Sequence, residues 1–166
     1  MRTMILVIIL VCLSMGWSVA GPIDHTVVIS QGKTPVLQLK THGKTVVTPI
    51  GEKTVVQTPD MFLHIWPQAE GATLAGTVAR VSGIIKGDVL NFKTNKTEAL
   101  KVGARTVNWF AGTGIEADDE DSSHAEVVVF DVGGRVFVAC IHGEGRIEPA
   151  EHNAMLAALK TVESPK

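Results

Sequence analysis

The run Val127–Val132, Gly133-Gly134, Arg135–Ile141 constrains the fold more than any other part of the chain. Two apolar, β-branched segments flank a two-residue Gly-Gly linker, which supplies the positive φ angles that a primed hairpin turn requires. Pairing Val132 with Arg135 sets the register. It places Phe130 opposite Phe137, Val128 opposite Ala139 and Val127 opposite Cys140. One face then carries Val128, Phe130, Val132, Phe137, Ala139 and Ile141, and the other carries Val127, Val129, Val136, Val138 and Cys140. A hairpin wet on one side alternates apolar and polar residues. This one does not, so it belongs in the middle of a sheet with a layer packed on each face.

The rest of the chain supplies elements for those layers. From Thr73 to Lys86, the residues Leu74, Val78, Val81 and Ile85 recur at helical spacing, which predicts an amphipathic helix weakened by Gly76 and Gly83. Pro149 suits a first helical turn, and His152, Met155, Leu156, Leu159 and Val162 mark the inner stripe of a closing helix. Met61–Trp66 reads as a buried strand, Val89–Thr94 as another, and Arg105–Ile115 as a third introduced by Leu100–Gly103. Upstream, three phrases beginning at Gly32, Gly43 and Glu52 each place Lys-Thr ahead of valines and predict short strands that start from polar turns. Pro35 and Pro49 put this section at a sheet edge or between strands. The expected fold is α+β: a mostly antiparallel sheet covered by helices on its faces, an α/β/α sandwich, forming one domain over 21–166. Within it, 21–60 is a β-rich N-terminal section and 61–166 is the sandwich with its C-terminal helix.

Residues 1–20 do not fit that domain. Arg2, the apolar run Met4–Leu13 and the small residues of Ser18-Val19-Ala20 have the three-part layout of a cleavable secretory signal. The run is too short to span a bilayer, so no stable membrane span is expected after cleavage. The predicted localisation is exported, periplasmic or secreted. Cleavage after Ala20 removes one Arg and no acid, so 14 basic residues then face 17 acidic ones and the net charge moves from −2 to −3. The lysines are spread singly through the chain, without the basic stripe of a nucleic-acid binder, so nucleic acid is not an expected partner. Of the two cysteines only Cys140 remains, which excludes an internal disulfide. Its apolar neighbours predict a buried thiol.

Chemistry-bearing residues gather in two places. The loop Glu116–Asp121 holds five carboxylates and includes Asp118, Asp119 and Asp121, oxygen donors of the type that bind hard cations, although the spacing does not match a twelve-residue calcium loop. Cys140, His142 and Glu144 alternate along one strand, so thiol, imidazole and carboxylate point to one face. His142, Glu144, Asp118, Asp119 and Asp121 are therefore the expected metal-ligating residues, and no cofactor is specified. His124 lies across the hairpin from Gly143 and points to the opposite face. His64, alternating within an apolar strand, reads as a hydrogen-bonded core residue. Gly112-Thr113-Gly114 sits inside a strand instead of opening a helix, which excludes a phosphate-binding loop.

The order helix at Thr73, strand Arg105–Ile115, hairpin about Gly133-Gly134 and closing helix resembles the small α/β/α sandwich of PsbP and Mog1 type over roughly residues 60–162. That resemblance implies a non-catalytic accessory or binding module. The function expected from sequence is accordingly an exported, non-enzymatic binding or accessory protein with a protein partner in the envelope or outside the cell. The alternative is a metal- or thiol-dependent activity at Cys140, His142 and Glu144 near the acidic loop.

Overall fold

The computed structural model describes residues 24–118 and 121–165; the signal-peptide reading of 1–20 lies outside the described residues. The elements are β1 (Asp24–Gln31), β2 (Thr34–His42), β3 (Val46–Ile50), β4 (Lys53–Thr58), β5 (Met61–Pro67), α1 (Leu74–Val78), α2 (Val81–Ile84), a 3₁₀ turn (Ile85–Gly87), β6 (Val89–Val102), β7 (Arg105–Glu116), β8 (Ser122–Val132), β9 (Arg135–Glu144) and α3 (Pro149–Lys160). Seven strands form one sheet in the order β3-β4-β5-β9-β8-β7-β6, with every neighbouring pair antiparallel, and β1-β2 form a separate hairpin.

The Gly-Gly hairpin is β8-β9, at the centre of that sheet and in the predicted register. Gly133 and Gly134 take φ of 62° and 81°. Its two faces nucleate two separate cores. Val128, Phe130, Phe137 and Ala139 pack with Leu63 and Ile65 of β5, with Ile29 and Leu37 of the β1-β2 hairpin and with Met155 and Leu159 of α3. Phe130 and Phe137 stack with ring centroids 5.6 Å apart. Val127, Val129, Val138 and Cys140 pack with Trp66, Phe110, Val81 and Ile85 on the other side. Emptying a fully buried position such as Phe137 costs about 3–5 kcal/mol.

The expectation of helices on both faces is overturned. Strands make up 59% of the described residues and helices 17%, so the molecule is mostly β and not an α/β/α sandwich. On the first face a two-stranded hairpin shares the cover with α3. It is joined to the tail beyond that helix by reciprocal Gln38–Glu163 backbone bonds of 3.0 and 2.9 Å. On the second face the predicted helical stripe is present, since Leu74, Val78, Val81 and Ile85 all pack inward, but the helix breaks at Ala79-Arg80 into α1, α2 and a 3₁₀ turn. Gly76, Gly83 and five β-branched residues from Thr73 to Ile84 make continuous helix costly, so packing sets the path and hydrogen bonding does not extend it. The N-terminal section does form strands from polar turns. Pro49 falls on the edge strand β3, and Pro35 adjoins the register shift of β1-β2 at Ile29/Ser30.

One further difference bears on the site. Val89–Val102 is a single strand, paired with β7 along its length but interrupted by irregularities at Leu90/Lys93 and Thr94/Lys96, with Asn91 at φ 53°. Gly112 and Gly114 of β7 face these kinks. A Cβ on Gly112 would lie 2.2 Å from the Lys93 carbonyl oxygen, and one on Gly114 would lie 2.5 Å from Val89 Cγ1. The Gly-Thr-Gly phrase thus lets β6 fold closely over β7, and so fixes Asp88, which immediately precedes that strand. Because the obstacle at Gly112 is backbone, Gly112→Ala should lower stability in urea unfolding by about 1–3 kcal/mol, the range for overpacking. Unchanged stability would contradict this role.

Candidate functional site

At one end of the second face the apolar core gives way to polar side chains. His64 on β5 and His142 on β9 come from adjacent strands, with His64 paired to Cys140, so His142 lies one pleat step beyond the thiol on the same face. The two rings meet edge to face with centroids 4.8 Å apart. Asp88 follows the 3₁₀ turn. Its N–H donates to the Ile85 carbonyl (2.9 Å) and its carbonyl accepts from Ala117 N–H (3.0 Å), so the residue is held between the short helices and the end of β7.

Each imidazole has a carboxylate at its Nδ1. His142 Nδ1 is hydrogen-bonded to Glu116 Oε1 at 3.3 Å, and the same oxygen accepts from the buried Ser123 hydroxyl at 3.1 Å. His64 Nδ1 lies 3.1 Å from Asp88 Oδ2, while Lys53 Nζ from β4 donates to Asp88 Oδ1 and sits over the Trp66 ring, 5.7 Å from its centroid. The Lys53 ammonium is also 3.4 Å from His64 Nδ1, but its ion pair is with Asp88. A carboxylate facing Nδ1 favours the tautomer with the proton there, which leaves the lone pair on Nε2. The Nε2 atoms of His64 and His142 are both buried with no hydrogen-bond partner.

Burial lowers the basicity of His64 below the usual imidazole value, against the opposing pull of Asp88. Burial alone would raise the Asp88 carboxyl, but hydrogen bonding and charge from His64 and Lys53 outweigh it and hold the group at about 2. The cleft above these residues encloses about 470 Å³ and is lined by Phe62, His64, Asp88, Glu116, Asp118, His142 and Glu144 together with Gly87, Ala117 and Gly143. Among the described residues, no Lys or Arg lines it.

Of the residues singled out in the sequence, His142, Glu144 and Asp118 therefore share one cleft. Asp121 is not among its lining residues; its backbone carbonyl accepts from Glu116 N–H at 2.8 Å. Asp119 lies outside the described residues. Cys140 is fully buried in the second core, where burial pushes the thiol far above its usual range, and it does not reach the cleft. His124 faces the opposite side of the hairpin, as the register requires. Sequence reasoning assigned His64 to the core, where it is indeed 4% exposed, but missed that its ring meets His142 and that Asp88 completes the group.

Among known proteins, no family model and no curated protein matches the chain. Solved structures similar to it at low identity include two proteins. One is a protein of unknown function from Pseudomonas aeruginosa, PA94, described as a putative regulator: 12% identity, TM-score 0.47, covering 82% of this chain and 95% of that one. The other is LpqN of Mycobacterium tuberculosis, described as involved in cell envelope biogenesis: 14% identity, TM-score 0.46, covering 87% of this chain and 92% of that one.

Three outcomes are expected. Asp88→Ala strands a Lys53 side chain that is only 15% exposed and should destabilise the protein by about 3–5 kcal/mol; the double variant Lys53→Met with Asp88→Leu should recover much of that loss in the same denaturation assay. Because the Asp88 carboxyl is held below its usual 3.8, its contribution to stability should be complete above about pH 4 and disappear as the pH falls toward 2. In native protein Cys140 should resist iodoacetamide and label only on unfolding; rapid native labelling would contradict its burial.

Proposed function

We propose that this chain is a small exported binding protein, non-catalytic and accessory to a partner in the envelope or outside the cell, and that its cleft takes up a cation or the cationic group of a larger ligand. The observation that carries this reading is the composition of the cleft wall. Four carboxylates (Asp88, Glu116, Asp118, Glu144) and two imidazoles converge on one concavity that, among the described residues, no Lys or Arg lines. Lys53 stands behind Asp88 and neutralises that one acid, and Glu116 is paired with His142, which leaves Asp118 and Glu144 as the carboxylates that, among the described residues, no Lys or Arg compensates. A concave site with a few convergent polar groups is the usual form of a ligand site, and its sign selects the ligand. Phe62, 43% exposed and tilted on His64 at 5.1 Å, gives the rim an apolar surface for the remainder of such a ligand. The export part of the proposal is supported by the leader pattern of residues 1–20.

Thermal unfolding of the full chain with calcium, zinc, spermidine, phosphate and citrate tests the charge preference. Cations should raise Tm, with a ligand at 100 times its Kd adding about 2.7 kcal/mol. The double variant Asp118→Asn, Glu144→Gln should reduce the response. Stabilisation by the anions and not by any cation would refute the reading.

A further inference from the structure

In the cleft, Nε2 of His64 and Nε2 of His142 are buried without hydrogen-bond partners, and these two residues together with Asp88 have ligating atoms that gather within 4.8 Å of one another. These are independent observations, one about unmet bonding capacity and one about distance. From them we propose that the cleft holds a divalent transition-metal ion, of which zinc is the type, bound by His64, His142 and Asp88. This inference rests on the cation-binding reading of the cleft and names its ligand.

An unsatisfied buried polar atom is costly, so bare imidazole nitrogens gathered in one cleft call for a common partner. Water could bridge them, but an acceptor lone pair on each of two imidazoles beside an ionised carboxylate is the donor set of a metal and not of an anion. Nitrogen donors select the class. Calcium and magnesium are bound by oxygen, whereas two imidazoles with one carboxylate suit zinc, iron(II) and their neighbours. Metal–ligand bonds of about 2.0–2.2 Å place the ligating atoms of a tetrahedral ion roughly 3.4 Å apart, so the side chains need to close by about an ångström from their present spread.

The surroundings supply what such a site needs beyond its ligands. Glu116 holds the His142 ring from behind through Nδ1, the carboxylate–histidine arrangement that raises ligand basicity and fixes the ring. Lys53 occupies Asp88 Oδ1, while Oδ2, which faces His64 Nδ1 at 3.1 Å, keeps a second lone pair for the ion. Three protein ligands leave a coordination position toward the open cleft, beside Glu144 and Asp118, where water or a ligand's donor atom can enter.

The test is a calorimetric titration of chelator-stripped full chain with Zn²⁺, repeated with Co²⁺ while its visible d–d bands are recorded, and with Ca²⁺ and spermidine as comparison cations. One equivalent of Zn²⁺ should bind at least 100-fold more tightly than Ca²⁺. His142→Gln and Asp88→Asn should weaken it 100-fold or more, Glu116→Gln about 10- to 100-fold, and His42→Ala, at a surface Asp24 pair, should have no effect. His142 lies at the cleft end of β9 and outside both cores, so its variant carries the test if Asp88→Asn does not fold. Zn²⁺ binding unchanged in His142→Gln, or no preference for Zn²⁺ over Ca²⁺ and spermidine, would overturn the metal assignment while leaving a cation-binding cleft. Absence of binding by every cation would overturn both.

Discussion

A hairpin that is apolar on both faces cannot be stable at the surface of anything, and the architecture follows from covering it. The central strands β8 and β9 carry fully buried residues on each side, so the sheet must extend beyond them and each face must receive a layer. The first layer is substantial: the β1-β2 hairpin and α3, tied together through Gln38 and Glu163, with the end of α3 and the tail beyond it anchored to β7 by Arg105, which donates to the Leu159 and Val162 carbonyls. The second layer is short. Two brief helices and a 3₁₀ turn cover Trp66, Val127, Val138 and Cys140, and then the cover ends at Gly87. The cleft exists because that second layer stops before the strands do. His64, His142 and Glu116 are the residues on the face where apolar cover has run out, and Asp88 is the first residue after it.

This position accounts for the chemistry of the cleft. The side chains are deep enough for burial to lower the basicity of His64 and for a Lys–Asp pair to be strongly coupled, yet they open onto solvent on one side. Partial burial makes unpaired polar atoms costly and still leaves a ligand a way in. Glycine contributes at one remove. Gly112 and Gly114 allow β6 to lie against β7, and without that close approach Asp88 would not be brought over the sheet to meet strands β4, β5 and β9.

Local signals in the sequence reached some of this and not the rest. The Gly-Gly turn, the register of the hairpin and the division of its residues between two faces follow from period-two alternation alone, and the structure reproduces them residue by residue. That His142 and Glu144 share a face was legible for the same reason. The pairing of β5 with β9 was not, because those strands are separated by more than 60 residues and no local pattern specifies which strand joins the hairpin. Without that pairing His64 had no reason to be set beside His142, and Asp88, a single acid after a glycine, carried no signal at all. The error in fold class has a similar origin. The stripe from Leu74 to Ile85 marks a buried face correctly, but the glycines and β-branched residues within it prevent the long helix that the stripe suggests. The layer opposite was expected to be helical, whereas much of it is the β1-β2 hairpin, whose Lys33-Thr34-Pro35-Val36 phrase resembles the ones that open β3 and β4 of the main sheet.

The central claim is that the two imidazoles and the carboxylate at the end of this short layer form one cation site. An anomalous difference map from zinc-soaked crystals, collected on either side of the zinc absorption edge, addresses it directly. The account predicts a single strong peak bounded by His64, His142 and Asp88, with any density at the exposed His42–Asp24 pair much weaker. A map with no peak between the two imidazoles, or with zinc only on surface histidines, would contradict it.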